Sequence, residues 1–212
     1  MRKLAAGLTL LLLTVTPAWA IDGGWKLLTL PDKTPASFQR VSDGAIEVAT
    51  DSSVAFIYRE APEDSVAMSW RWRVDKAGPD SDVMLKGADD RPLAVHLWFA
   101  DESIQTGLRG TVARLLGYPS YGRVLTYVWA TGDAKGKRFA NPYMQDGQGA
   151  VIVLRDASDG TMTWRKETVD IVADYVAAFG SKPLAPAYVA LSGDSDDLGG
   201  MTLGRVADIK LK

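Results

Sequence analysis

Ser69-Trp70-Arg71-Trp72-Arg73-Val74-Asp75 alternates apolar and charged side chains without a break. Successive side chains of an extended strand point to opposite faces. Trp70, Trp72 and Val74 therefore share one face, and Arg71, Arg73 and Asp75 share the other. A helix would scatter both sets around its circumference. The stretch predicts an antiparallel sheet that buries one face in a core and turns a charged face away from it.

The rest of the chain follows the same pattern in short pieces. Candidate strands are Ala45 to Ala49, Val54 to Arg59, Met68 to Val74, Leu93 to Ala100, Val124 to Trp129, Ala150 to Leu154, Met162 to Thr168, Ala187 to Leu191 and Val206 to Leu211. Gly, Pro, Asp and Ser separate them, and Ser42-Asp43-Gly44 and Ser158-Asp159-Gly160 read as hairpin-type turns. Many short strands divided by turn residues predict a mainly β fold, an antiparallel two-sheet sandwich of jelly-roll type. One short helix is expected near residues 170–179. Asp170 is its N-cap and Gly180 its C-cap, Pro183 stops it, and Val172, Val176 and Phe179 share a face. Leu108 to Leu116 is a weaker second helix.

The N-terminus reads as an export signal. Arg2 and Lys3 precede the apolar stretch Leu4 to Val15, Pro17 breaks it, and Ala18-Trp19-Ala20 is a small-x-small cleavage site. The expectation is a signal peptide over 1–20 and a single domain over 21–212, periplasmic or secreted, with no membrane span after cleavage. The 212-residue chain has no Cys. It therefore offers no disulfide, no thiolate metal site, no Cys nucleophile and no thiol for a lipid anchor. Its 24 basic residues stand against 26 acidic ones, and two of the basic ones lie in the signal. This mixed, mildly acidic balance argues against a nucleic-acid partner, which requires a clustered basic footprint.

The catalytic inventory is thin. His96 is the only histidine, which excludes a His-ligated metal cluster. It alternates with Ala94 and Trp98 on one strand face, opposite Val95, Leu97 and Phe99, where it reads as holding a neighbour by a hydrogen bond. There is no Gly-x-Ser-x-Gly elbow and no glycine-rich phosphate loop. Asp80, Asp82, Asp89 and Asp90 form one acidic cluster, and Asp194, Asp196 and Asp197 another. Such oxygen-rich loops suit Ca²⁺, and Asp194, Asp196 and Asp197 are the candidate ligands; solvated or turn-capping carboxylates are the plainer reading. Trp70, Trp72, Trp98, Tyr127, Trp129 and Trp164 all fall on candidate strands, where most are expected in the core. One sheet face is nevertheless expected to carry Arg71, Arg73, His96 and Trp98, if the strand registers agree. Flat rings flanked by Arg donors suit a glycan; the same Arg residues paired to Asp75 and Asp90 would make a structural network. The polar loops Lys76 to Pro92 and Gly132 to Gln148 are long, and long loops tend to carry function.

Trp70-Arg-Trp-Arg-Val-Asp75, Asp89-Asp90, Tyr127-Val-Trp-Ala130, Asn141-Pro-Tyr143, Trp164, Asp170 with Asp174-Tyr175, Phe179-Gly180 and Asp194-x-Asp196 occur in this order. Together they resemble the bacterial family known as domain of unknown function 3047, over roughly residues 22 to 210. The chain departs from the family at Asp197-Leu198, where an Asn-Thr pair is expected, and at Gly199-Gly200. The resemblance implies an exported, sandwich-like domain and no assigned activity. Three readings stay open. The leading one is a non-catalytic module that binds a glycan or glycoconjugate through Arg71, Arg73, His96, Trp98, Asp89 and Asp90. The second is a carbohydrate-active hydrolase or lyase that uses a carboxylate pair such as Asp89 and Asp90. The third is a structural module whose partner is an envelope protein.

Overall fold

The computed structural model describes residues 21, 23–100, 122–145, 147–183 and 185–212. The signal expected over 1–20 and the weaker helix expected over 108–116 fall on residues outside them. The described residues form two sheets. The five-stranded sheet contains β2 (Ser37–Arg40), β3 (Ile46–Asp51), β5 (Ala67–Lys76), β10 (Arg165–Asp170) and β12 (Met201–Leu211). Its order is β10-β5-β12-β3-β2, antiparallel throughout. The seven-stranded sheet contains β1 (Lys26–Thr29), β4 (Val54–Glu60), β6 (Arg91–Phe99), β7 (Arg123–Trp129), β8 (Arg138–Ala140), β9 (Gly149–Arg155) and β11 (Pro186–Asp194). Its order is β1-β4-β11-β6-β7-β9-β8, and only the β7–β9 pair is parallel. The architecture is the expected β-sandwich.

The core forms where the alternation of the two sheets meets. Trp70, Trp72 and Val74 of β5 pack with Leu93, Val95, Leu97 and Phe99 of β6 and with Leu125, Tyr127 and Trp129 of β7. Trp70 meets Trp72 edge-on at 5.4 Å, and Trp72 meets Trp129 at 5.5 Å. Gly204 of β12 lets the sheets approach closely here, because a Cβ at that position would lie 2.5 Å from Leu93 Cγ. The Arg71/Arg73/Asp75 face is external, as the alternation requires.

One helix, α1 (Ile171–Phe179), is present among the described residues. Asp170 caps it by accepting from the Ala173 N–H, and Gly180 ends it in the left-handed conformation at φ 70°. The face expected to pack, Val172, Val176 and Phe179, is not the buried one. Ile171, Asp174 and Tyr175 are buried instead, and Val176 is exposed. The reason is polar. Asp174 accepts from Tyr127 Oη at 3.0 Å and from Arg138 Nη1 at 2.8 Å, which turns it inward. Burial and this neighbouring carboxylate push the Tyr127 phenol well above its usual range. Three short strands, β1, β2 and β8, were not expected. The strand expected from Met162 begins at Arg165, since Met162 adopts φ 63°, outside strand geometry. No helix among the described residues is long and apolar enough to cross a membrane.

Candidate functional site

The outer face of the seven-stranded sheet carries the site. β6 sends Ala94, His96 and Trp98 outward, opposite its core residues. In the β6–β7 register His96 lies opposite Thr126, and Trp98 opposite Val124. Two apolar groups cover parts of this face. Val83, from the loop before β6, packs on Ala94, Val128, Val151 and Val153. Tyr58, Trp98, Val124 and Ala190 form the other group, with Phe56 and Tyr188 against it. A cleft of about 390 Å³ is lined by Leu28, Val54, Phe56, Trp98, Val124 and Met144 on its apolar side. Lys33, Arg91, His96, Thr126, Asn141, Tyr143, Asp194, Asp196 and Asp197 make its polar side.

His96 is buried in the floor. Its Nε2 lies 2.9 Å from Ser192 Oγ and its Nδ1 3.1 Å from Thr126 Oγ1. Burial first, and the Arg91 charge second, hold its pKa down at about 3. A neutral ring with both nitrogens engaged is a hydrogen-bond hub and a weak base. This agrees with its reading as a histidine that holds its neighbours.

The polar rim joins the two acidic clusters that the sequence separates. Asp90 accepts from the Asp197 and Leu198 N–H groups at 3.1 and 2.9 Å, which ties the loop before β6 to the β11–β12 turn. Arg91 Nη1 pairs with Asp89 at 2.9 Å and with Asp194 at 3.3 Å. Lys33 pairs with Asp196. Tyr143 Oη accepts from the Gly87 N–H at 3.0 Å, and Asp89 and Asp197 carboxylate oxygens lie 2.6 and 3.1 Å from it. Burial, then the Asp89 bond, raises the Tyr143 phenol above its usual range.

Burial lifts Asp194 to about 8, against the pull of Arg91. Burial acts upward on Asp196 too, but hydrogen bonds from Asp194 and Lys33 outweigh it and hold Asp196 low. At neutral pH the two form a protonated and an ionised carboxyl side by side. Among the described residues, Asp90, Asp194 and Asp196 form the one group of three carboxylates with oxygens within 4.8 Å of one another. Asp197 points to Tyr143 instead. Lys33 and Arg91 supply counter-charge here, and both Asp90 oxygens accept from backbone N–H groups.

The expected single face of Arg71, Arg73, His96 and Trp98 divides between the two sheets. Arg71 and Arg73 lie on β5, on the far side of the sandwich from His96 and Trp98 of β6. There Arg71 pairs with Asp208 and Arg73 with Asp75, both at 2.6 Å, and both guanidiniums lie over Trp164 at 5.0 and 5.3 Å. Alternation fixes which side chains share a face within one strand, but not which sheet that strand joins. Most of the strand aromatics were expected in the core; Trp164 is half-buried under these two Arg residues instead. Asp89 and Asp90 reach the rim through their loop, while Asp80 and Asp82 are exposed. Lys33, Phe56, Arg91 and Tyr143 belong to the cleft and were not singled out as binding residues. Tyr143 had a signal, since it lies in a long polar loop and in the Asn141-Pro-Tyr143 motif.

A family model described as "Protein of unknown function (DUF3047)" matches residues 23–210. No curated protein matches the chain in sequence. Among solved structures, the xyloglucanase domain of NopAA, a type three effector from Sinorhizobium fredii, in complex with cellobiose, is 13% identical, with a TM-score of 0.48 over 91% of this chain and 93% of that chain. The K2 cleaved adhesin domain of Lys-gingipain is 12% identical, with a TM-score of 0.39 over 89% of each chain. TmCBM61 in complex with β-1,4-galactotriose is 9% identical, with a TM-score of 0.36 over 89% of this chain and 87% of that chain.

Proposed function

The chain belongs to the DUF3047 family, and we propose that it is an exported, non-catalytic module that holds a glycan or glycoconjugate in the cleft of its seven-stranded sheet. One observation carries this reading: the cleft sets aromatic walls against a rim of convergent hydrogen-bonding groups. Its volume, about 390 Å³, falls within the range of small-ligand sites. A sugar ring offers an apolar face and an equatorial belt of hydroxyls. Phe56, Trp98 and Tyr143 suit the first, and Arg91, Asn141, Asp194 and Asp196 suit the second. A glycan array followed by calorimetric titration tests the reading. Saturable binding of at least one soluble oligosaccharide is expected, and a blank array with flat titrations would overturn it.

One observation favours a second reading. Asp194, held protonated, and Asp196, held ionised, have the split protonation that an acid–base pair for glycoside cleavage requires. They hydrogen-bond each other rather than facing across a gap, which favours binding over turnover. On the binding account, reducing ends do not accumulate when the array-selected glycan is incubated with the protein. Release that Asp196→Asn abolishes would favour the enzyme.

A further inference from the structure

The charges of the 390 Å³ cleft are committed on one side and uncommitted on the other. Among the described residues, its lining cations are Lys33 and Arg91, and its lining carboxylates are Asp194, Asp196 and Asp197. Both cations are already held, Lys33 by Asp196 and Arg91 by Asp89 and Asp194. An acidic ligand would therefore have to break an existing ion pair. Asp197 stands differently. Among the described residues no Lys or Arg pairs with it. Lys86 lies over the Tyr143 ring at 5.0 Å rather than on a carboxylate.

The hydrogen bond of Asp197 is also shared. Tyr143 Oη lies 3.1 Å from the Asp197 carboxylate and 2.6 Å from that of Asp89. A phenol has one proton and serves one carboxylate at a time. The shorter contact gives that proton to Asp89 and leaves the Asp197 oxygens open at the exposed side of the cleft. Burial raises the Asp197 carboxyl, the Tyr143 bond opposes it, and the charges of Asp196, Asp89 and Asp90 add to the rise. A carboxylate crowded by like charges gains from an added cation. The chain itself shows the kind of cation that fits: Lys33 sets a primary ammonium on Asp196, the residue next to Asp197. Leu28 and Phe56 supply an apolar wall in the same cleft for the body that would carry such a group.

We propose that the cleft selects saccharides that carry an ammonium group over neutral ones and rejects uronic acids, with Asp197 as the specificity-determining residue. This rests on the glycan reading of the cleft. The sugar ammonium pairs with Asp197, Asp196 adds to the field, and the apolar wall takes the ring. Calorimetry on the full chain with matched tetrasaccharides tests it, at about pH 6, where a sugar ammonium stays charged. The probes are cellotetraose, its counterparts with acetamide or ammonium at C2, and its counterpart with carboxylate at C6. They share one backbone and differ in the charged group. The ammonium form is expected to bind about fivefold tighter than cellotetraose, and the carboxylate form about fivefold weaker. Added salt is expected to narrow both differences. Asp197→Asn, an exposed substitution that keeps an acceptor for Tyr143, is expected to bring the ammonium-to-hydroxyl affinity ratio close to one. Binding of cellotetraose or the acetamide form at least as tight as that of the ammonium form overturns the inference and leaves the glycan reading standing. An ammonium preference that persists in Asp197→Asn overturns it as well. So does silence of all the tetrasaccharides, and a blank glycan array beside that silence removes the glycan reading too.

Discussion

Trp70 and Trp72 stand two residues apart on one face of β5, and both are buried. Trp72 Nε1 donates to Glu167 at 2.9 Å, and Arg155 holds the same carboxylate at 2.7 Å. Trp70 Nε1 has no hydrogen-bond partner among the described residues. Trp72→Phe therefore removes packing and a bond to a charged acceptor, whereas Trp70→Phe removes packing alone. The first is expected to cost about 1–2 kcal/mol more in urea unfolding. Two cleft residues set the pH dependence with opposite signs. Folded His96 titrates at about 3 against an ordinary 6.5, so the unfolded chain binds the extra proton and stability is lost as pH falls below 6.5. Folded Asp194 titrates at about 8 against an ordinary 3.8, so the folded chain keeps a proton that the unfolded chain has released. Its contribution is lost as pH rises from about 4 to 8. Between about 4 and 6.5 the two oppose each other; above 6.5 Asp194 acts alone. Wild-type urea midpoints are expected to fall between pH 6.5 and 8, and Asp194→Asn is expected to flatten that limb. His96→Gln is expected to remove the part of the acid-side loss that comes from the imidazole.

At the scale of elements, long alternating strands were legible and short edge strands were not. β5 declares itself because ten residues alternate around two Trp. β1, β2 and β8 have four, four and three residues, too few for a period to emerge, and neighbouring strands impose them by backbone pairing. α1 was legible from its caps. Asp170→Ala is expected to cost about 1 kcal/mol in chemical denaturation through loss of the Ala173 N–H acceptor. Its buried face was not legible, because a carboxylate held by Tyr127 and Arg138 decides it. Sheet-to-sheet approach is likewise invisible in a single sequence. Gly204→Ala would drive a methyl into Leu93, and a loss of about 1–3 kcal/mol is expected by the same measurement.

At the scale of the molecule, the two outward faces differ in kind. The Arg71/Arg73 face is closed on itself by Asp75, Asp208 and Trp164. The His96/Trp98 face opens into a cleft where the loop before β6, the β8–β9 loop and the β11–β12 turn converge. Half of this site was legible. His96, Trp98, Asp89, Asp90 and the Asp194 turn carry unusual chemistry in the sequence itself. Lys33, Phe56 and Arg91 do not, because ordinary residues join a site only through the order of strands β1, β4, β11 and β6. The measurement that tests the account most directly is calorimetric titration of one array-selected oligosaccharide into wild-type protein, Tyr143→Ala and Trp164→Ala. Tyr143 is 51% exposed at the cleft, so its removal spares the core. At least tenfold weaker binding is expected for Tyr143→Ala, and an unchanged affinity for Trp164→Ala. The reverse pattern, with binding lost at Trp164 and intact at Tyr143, would move the site to the five-stranded sheet and contradict the account.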